Sequence, residues 1–365
     1  MFTPSKENAA RAREILEGHI AKGRASAVET YKSVRENIPT DKLVRGKALK
    51  FAPTKERLTI SLGDGPGQAI GHHALSQLAS RAGIPGQYLA ELSTQGGWQR
   101  ELSAEILNRH YGAGETNTRF LVRAVRDEVR GVMSDHYRRL DSVPLLDAVI
   151  EKCKEVGAVP VGGTHTDTRV AFRALIPTVY EPIPGEVVAF GIEWGNSDYA
   201  NGTHYLRAFL ERVWCLNGAT MENALSQVHL GGRMSEEFEM SDRTYRLDTQ
   251  TSVSALSDII NGVLAPTKVK AMCESIRTAA EKSIDWKNLK GSLAKRLLKG
   301  ELTAAEAAFD SQDVINLPAG KTMWRASNAI SWIAGNTEDG DRKLELERLA
   351  GELASGRRDV ELAAA

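Results

Sequence analysis

The stretch TRFLVRAVRDEVRGVMS, residues 118–134, decides the fold class because its apolar residues follow an alternating spacing. Phe120, Val122 and Ala124 fall on one face of an extended chain, as in a half-buried strand. The polar piece at 126–128 interrupts the run, and a second apolar run follows it. Two such runs around a short polar turn are typical of a β-hairpin. The sequence therefore predicts strand, turn and strand here.

The segments on both sides of this hairpin extend the prediction. Before it, HHALSQLASRAGIPGQYLAELST at 72–94 predicts two helices joined by a tight turn. After it, a helix from Ser142 is followed by strand-like segments at 158–176 and 186–194. From Leu216 onward the pattern becomes helical, and we predict helices near 218–228, 250–264, 267–283, 286–299, 302–310, 320–335 and 339–354. This order predicts an α+β fold with a central antiparallel, hairpin-rich sheet flanked by helices and a helical C-terminal third.

The chain of 365 residues is long enough for two or three domains. We predict an N-terminal helical arm at 1–45, an α+β core domain at 46–235 and a helical C-terminal region at 236–365. The arm is predicted from a mostly polar helical pattern at 4–36 with a thin apolar stripe. Gly18 and Gly23 weaken that helix on propensity alone.

Composition excludes several classes of protein. Lys plus Arg equals Asp plus Glu at 47 each, which argues against a nucleic-acid binder that works by bulk positive charge. The 3 cysteines are far apart and form no CxxC pair, so we expect free thiols in a reducing compartment. The N-terminus has no apolar signal core, and no run of 18 apolar residues occurs. We therefore predict a cytoplasmic protein without a membrane partner.

The stretch NSDYANGTHYLRAFLERVWCLNG, residues 196–218, combines two Asn-Gly pairs with a row of aromatic residues. Its apolar spacing fits either a helix or a buried strand. The Asn201-Gly202 pair is a strong turn signal, which favours a strand after it. We predict three inward-facing side chains: Phe209, Val213 and Cys215. We also predict that Asn217-Gly218 ends the strand and starts a helix.

Arginines concentrate in and after the predicted hairpin. Six of them fall within 21 residues: Arg119, Arg123, Arg126, Arg130, Arg138 and Arg139. Arg119 and Arg123 share a strand face because their separation is even, so a row of guanidinium groups could follow a phosphate backbone. Tyr137 and Tyr205 are candidate stacking platforms for unpaired bases, and Arg207 and Arg212 lie on the neighbouring motif. The alternative interpretation of such a cluster is a solvated charged face.

The sequence favours a binding protein over an enzyme. It contains no metal-ligand pair at a recognised spacing, and we predict no catalytic residue, no metal and no cofactor. Cys215 is the best candidate nucleophile, but its apolar setting favours an inert thiol. An alternative that stays open is a metal- or thiol-dependent hydrolase or nucleotide-modifying enzyme around His165, Asp167 and Cys215.

Several segments resemble a known family. GVMSDHYRRLDSVPLLDAVI at 131–150 is similar to a signature of the phage/plasmid-like family of unknown function. The 196–218 stretch resembles the second signature of that family, and two further blocks are similar to it: QLASRAGIPGQYL and TMWRASNAISWIAGNTEDGDRKLELERLAGEL. The resemblance covers roughly residues 45–355. It implies a protein carried by bacteriophages, plasmids or prophages, and it implies no settled activity.

From these observations we predict a DNA-binding protein of phage or plasmid type. By analogy of fold with phage strand-annealing proteins, we expect it to bind single-stranded DNA or to anneal strands in recombination or replication, as a homo-oligomer. Annealing needs a groove for the backbone and exposed bases, and it needs no nucleophile. A third hypothesis is a host-directed inhibitor that acts by protein contact.

Overall fold

The strands form two sheets in the computed structural model, which describes residues 2–112, 118–215, 217–227, 241–311 and 317–356. The six-stranded sheet contains β1 (Thr40–Arg45), β2 (Leu49–Pro53), β3 (Leu58–Leu62), β4 (Gln68–Ile70), β5 (Arg119–Val125) and β6 (Glu128–Ser134). The five-stranded sheet contains β7 (Val159–His165), β8 (Val170–Ile183), β9 (Glu186–Asn196), β10 (His204–Arg212) and β11 (Asn217–Gln227). The predicted α+β class is confirmed, with the strands divided between two sheets.

The helices precede, separate and follow these strands. In chain order they are α1 (Lys6–Glu36), α2 (His72–Arg81), α3 (Gly86–Gln95), α4 (Gly97–Leu107), α5 (Ser142–Glu155), α6 (Asp242–Val263), α7 (Pro266–Glu281), α8 (Trp286–Leu293), α9 (Lys299–Asp310), α10 (Met323–Gly335) and α11 (Gly340–Ser355). The predicted helical C-terminal third is confirmed by α6 to α11. The domain boundary predicted at 235/236 lies outside the described residues.

The hairpin predicted at 118–134 is confirmed as β5 and β6. Arg126 occupies the turn between them with a left-handed backbone, at φ 54°. The sheet order is β1-β5-β6-β4-β3-β2, and β4 pairs parallel with β6 while the other pairs are antiparallel. Helices α2 to α4 contribute Leu78, Leu89 and Leu107 to the core of this sheet, and all three are buried.

The five-stranded sheet is antiparallel throughout, in the order β11-β10-β9-β8-β7. The strand predicted after Asn201-Gly202 is confirmed as β10. Phe209 and Val213 are buried on the side that α1 covers, as predicted, while Cys215 is half-buried. The opposite face packs against α5 and the C-terminal helices in the largest core cluster.

The helix predicted at 218–228 is wrong, because Asn217–Gln227 is strand β11. The backbone of β11 pairs with β10 along its length. Helix α11 covers β11 and packs closely against it. A Cβ atom on Gly351 of α11 would lie 1.6 Å from the carbonyl oxygen of Thr220. Pairing and burial outweigh the helical spacing of the segment, since propensity is only a weak prior.

Helix α1 lies across β7 and β8 rather than extending away from the protein. Gly23 allows this contact, because a Cβ atom there would lie 1.9 Å from the carbonyl oxygen of Val161 in β7. Ala12 and Leu16 are buried in the core on the same face. Within the region predicted as a helical arm, residues 40–45 form β1 and pair with β5.

Candidate nucleic-acid interface

Two of the four segments on which the family resemblance rests, 131–150 and 196–218, contact each other in the structure. The hydroxyl of Tyr137 donates to the carbonyl oxygen of Ser197 at 3.0 Å. The backbone N–H and the hydroxyl of Ser142 donate to Oδ1 of Asp198 at 2.9 and 2.8 Å, and Asn196 donates to the Ser142 hydroxyl oxygen at 3.0 Å. The turn after β9 and the loop before α5 therefore hold each other in place through buried hydrogen bonds.

Arg123 lies at the centre of this junction and is 1% exposed. Its guanidinium group donates to Asp41 at 2.7 Å, to Asp141 at 2.6 Å and to the carbonyl oxygen of Asp198 at 2.9 Å. Burial alone would lower the pKa of Arg123, but the charges of Asp141 and Asp41 outweigh it and raise the pKa. Arg123 and the buried Tyr137 therefore support the junction, and neither side chain presents a surface for phosphate or a base.

Asp198 is the acidic member of the junction whose ionisation is most perturbed. Its side chain is half-buried, and desolvation raises the pKa of Asp198 to about 6. The charge of Arg123 and the hydrogen bonds from Ser142 act in the opposite direction but do not cancel the effect of burial. The surroundings of Asp198 therefore disfavour its ionised form relative to water.

The other arginines of this region also contact carboxylates. The ion pairs are Arg119 with Asp135 at 3.1 Å, Arg130 with Glu128 at 3.2 Å, Arg138 with Asp248 at 2.5 Å and Arg139 with Asp41 at 3.3 Å. Arg126 is exposed at the hairpin turn. The structure thus places most of these side chains in ion pairs instead of in an open row, and their binding of nucleic acid stays a prediction.

The predicted residues on β10 lie in the other sheet. Arg207 approaches Glu193 at 3.3 Å, and its guanidinium carbon lies 3.8 Å from the ring centre of Tyr205. Arg212 donates to both carboxylate oxygens of Glu186, at 2.5 and 2.6 Å. Both arginines are buried within the five-stranded sheet. The sequence predicted that arginines of adjacent β-ribbons converge on one trough, whereas the structure separates these two from the hairpin arginines.

A groove between the loop before α5 and the first turns of α6, here called the α6 groove, brings basic and aromatic side chains together. It has a volume of about 410 Å³ and is lined by Asp41, Arg139, Asp141, Pro144, Tyr245, Arg246, Thr249 and Gln250. The guanidinium carbon of Arg139 lies 4.5 Å from the ring centre of Tyr245, and Arg246 is exposed on the same helix. The groove thus combines a cation–π pair with an accessible positive charge.

The sequence prediction included Arg138 and Arg139 but not the α6 residues that line the groove, such as Tyr245 and Arg246. The signal was present in SDRTYR at 241–246, where two arginines enclose a tyrosine. Interleaved basic and aromatic residues are the pattern expected of a single-strand binding surface.

The residues of the alternative enzyme hypothesis are not brought together. His165 ends β7 at one end of the five-stranded sheet, whereas Cys215 follows β10 at the other end, roughly 27 Å away along the strands. His165 contacts the hydroxyl of Ser33 at 2.8 Å, and burial lowers the pKa of its imidazole. Asp167 is exposed and lies 3.6 Å from Arg130.

Comparisons with known proteins add no relative to this picture. No family model, no curated protein and no solved structure matches the chain. Across the described ranges, no group of three or more His, Cys, Asp or Glu side chains is arranged to hold a metal ion. None of the helices in those ranges has both the length and the apolar character needed to cross a membrane.

Proposed function

We propose that the protein binds single-stranded DNA through the α6 groove. The observation that carries this proposal is the stacked pair of Arg139 and Tyr245 beside the exposed Arg246. An aromatic ring with a guanidinium plane supplies a platform for an unpaired base of any identity, and a neighbouring arginine supplies a contact for phosphate.

The charges around the α6 groove favour a polyanion at its rim. The carboxylates of Asp41 and Asp141 are paired with Arg123, and Asp41 also contacts Arg139. Among the lining residues, Arg139 and Arg246 balance Asp41 and Asp141, and the buried Arg123 behind them adds one further positive charge. Arg243 is exposed one turn earlier on α6, where it would extend a phosphate track.

Strand annealing in recombination or replication is the activity we propose for this binding. The resemblance of four segments to a phage/plasmid-like family supports a phage or plasmid setting, and the activity itself rests on a groove that would hold a backbone from one side. In the same terms we propose a homo-oligomer that works in the cytoplasm of a host cell. Annealing requires two bound strands, which copies of this chain could supply side by side.

Fluorescence anisotropy with a labelled single-stranded oligonucleotide, titrated at several salt concentrations, tests the proposal. We expect Tyr245→Ala to weaken binding by about 1–3 kcal/mol, because one stacked base loses its platform. We expect Arg246→Ala to weaken binding of all sequences and to reduce the slope of log K against log salt by about 0.7 for the lost phosphate.

The matched control is Lys55→Ala, which removes an exposed cation from the turn between β2 and β3. None of the residues that line the α6 groove comes from that turn. The α6 groove is refuted as the site if neither Tyr245→Ala nor Arg246→Ala weakens binding. It is also refuted if Lys55→Ala weakens binding as much as they do.

A further inference from the structure

The α6 groove contains one hydrogen-bond acceptor that contacts to a phosphate backbone leave unused, namely the carboxylate of Asp141. Asp141 lines the groove, and its side chain is 45% exposed. Its Oδ1 accepts from Arg123 at 2.6 Å, whereas its Oδ2 has no hydrogen-bond partner within the described ranges. Oδ2 is accessible to solvent instead of being enclosed by protein. A molecule in the groove can therefore reach this oxygen.

The local structure keeps Asp141 available because another residue caps the helix that it precedes. Asp141 occupies the N-cap position of α5, where an aspartate ordinarily accepts a hydrogen bond from the first turn of its own helix. Its side chain makes no such bond here. The carboxylate of Asp198 takes that place, since it accepts from the backbone N–H and the hydroxyl of Ser142 at 2.9 and 2.8 Å.

The charges of the groove favour a neutral donor at Asp141 over a cation. The carboxylates of Asp41 and Asp141 are matched by the guanidinium groups of Arg139 and Arg246 in the same lining. The buried Arg123 adds a further positive charge behind them. A cation would therefore meet a surplus of positive charge. An N–H group of an uncharged ring would instead add a hydrogen bond to a charged acceptor without adding charge.

We propose that the α6 groove prefers guanine among the bases of a single strand and that Asp141 selects it. This inference rests on the proposed function, because it concerns which base enters the same groove. Guanine carries two adjacent donors on its Watson–Crick edge, N1–H and N2–H, and these match the two oxygens of one carboxylate. Adenine and cytosine carry one amino donor beside an unprotonated ring nitrogen, and thymine carries one N–H between two carbonyl groups.

The other lining residues complete the contact with the base. The ring of Tyr245 has the guanidinium group of Arg139 over one face, and the base would stack on the other face. Arg246 and Gln250 are exposed on α6 and carry donors for the O6 acceptor of guanine. Stacking tolerates every base, so the preference comes from the hydrogen bonds to the base edge.

Fluorescence anisotropy tests the proposal with labelled heptamers of dT that carry a central dG, deoxyinosine or dT. The base of deoxyinosine lacks only the 2-amino group of guanine, so this pair isolates one of the two donors. We expect the dG heptamer to bind about 5- to 150-fold more tightly than the dT heptamer, which is the discrimination typical of a bidentate base contact. The deoxyinosine heptamer should lie between them. Heptamers with a central dA or dC should bind more weakly than the dG heptamer.

Asp141→Asn replaces one acceptor oxygen by a donor and should bring the ratio of dG to dT affinity close to one. That ratio is measured on one preparation, so it does not depend on the folded fraction. Asp147→Asn is the matched control, because Asp147 is an ion-paired aspartate of α5 with a similarly exposed side chain that does not line the groove. It should leave the ratio unchanged. If Asp141→Asn does not fold, the comparison of dG with deoxyinosine on the wild type still decides.

The outcomes separate this inference from the proposed function. If the heptamers bind equally while Tyr245→Ala still weakens binding, the guanine preference is wrong and the groove stays the site. If another base binds more tightly than dG, or if Asp141→Asn retains the preference, Asp141 does not select guanine. If no heptamer binds, or if Tyr245→Ala has no effect on binding, the proposed function and this inference both fail.

Discussion

Replacing Arg123 by Met should destabilise the protein strongly, because this side chain connects three segments at the junction of the two sheets. The change removes three hydrogen bonds, at 2.6, 2.7 and 2.9 Å, and leaves the carboxylates of Asp41 and Asp141 without their shared cation. Removing one partner of a buried ion pair typically costs about 3–5 kcal/mol. The side chains of Asp41 and Asp141 are 22% and 45% exposed, so both can regain water. We therefore expect a loss near the lower limit, about 3 kcal/mol.

Urea denaturation followed by circular dichroism measures this loss as a shift of the midpoint at constant slope. Arg126→Met is the matched control, because it makes the same change at an exposed position of the same hairpin. It should alter stability by no more than about 0.5 kcal/mol. Combining Arg123→Met with Asp41→Asn and Asp141→Asn should recover part of the loss, since the amides leave no unpaired negative charge.

A change below about 1 kcal/mol for Arg123→Met would refute the structural role of this ion pair, because it would approach the change of about 0.5 kcal/mol expected for an exposed position. A different result would be equally informative. If Arg123→Met kept its stability but lost affinity for single-stranded DNA, the guanidinium group would be a phosphate ligand, and the α6 groove would not be the main site.

Burial and backbone packing give three further predictions. The pKa of Asp198 is raised to about 6 from an ordinary 3.8. Ionising Asp198 is therefore harder in the folded protein than in the unfolded chain, and the free energy of unfolding falls as pH rises from 4 through 6. Asp198→Asn should therefore gain at most about 3 kcal/mol over the wild type above pH 6 and little at pH 4, as measured by urea midpoints across pH. Gly23→Ala places a Cβ atom 1.9 Å from a backbone oxygen of β7 and should lower stability by about 1–3 kcal/mol. In Gly18→Ala the new Cβ atom meets no atom within 4 Å, so this change should raise stability by up to about 1 kcal/mol. Thermal unfolding of the Gly23→Ala and Gly18→Ala variants would check both expectations. Burial raises the pKa of Cys153 to about 12, so a thiol reagent at neutral pH should label the half-buried Cys215 first, as mapped by mass spectrometry.

Local patterns in the sequence determined most of the secondary structure. The alternating spacing at 118–134 predicted β5 and β6, and the Asn201-Gly202 turn predicted the start of β10. The helices around residues 72–94 and those from α6 onward were also predictable, because their apolar spacing and end signals act within a few residues. The α+β class followed from the order of these elements.

Segment 217–227 shows where local patterns stop being sufficient. Its apolar spacing predicts a helix, but the segment forms a strand because it pairs with β10 and packs closely against Gly351 of α11. The sequence could not indicate this, because the residues that cover the strand lie more than 100 positions later in the chain. Gly23 was likewise interpreted as a weak point of α1, although it is the contact point that lets α1 lie on β7.

The sequence by itself determined which residues carry charge and on which strands and helices most of them lie. Only the tertiary structure decided which of those charges are accessible. Arg123 and its partner Asp41 are 82 positions apart, and α6 brings Tyr245 over Arg139 from still farther along the chain. The strength of an arginine as a ligand for phosphate depends on whether a carboxylate already holds it, and that depends on long-range packing that local spacing does not encode.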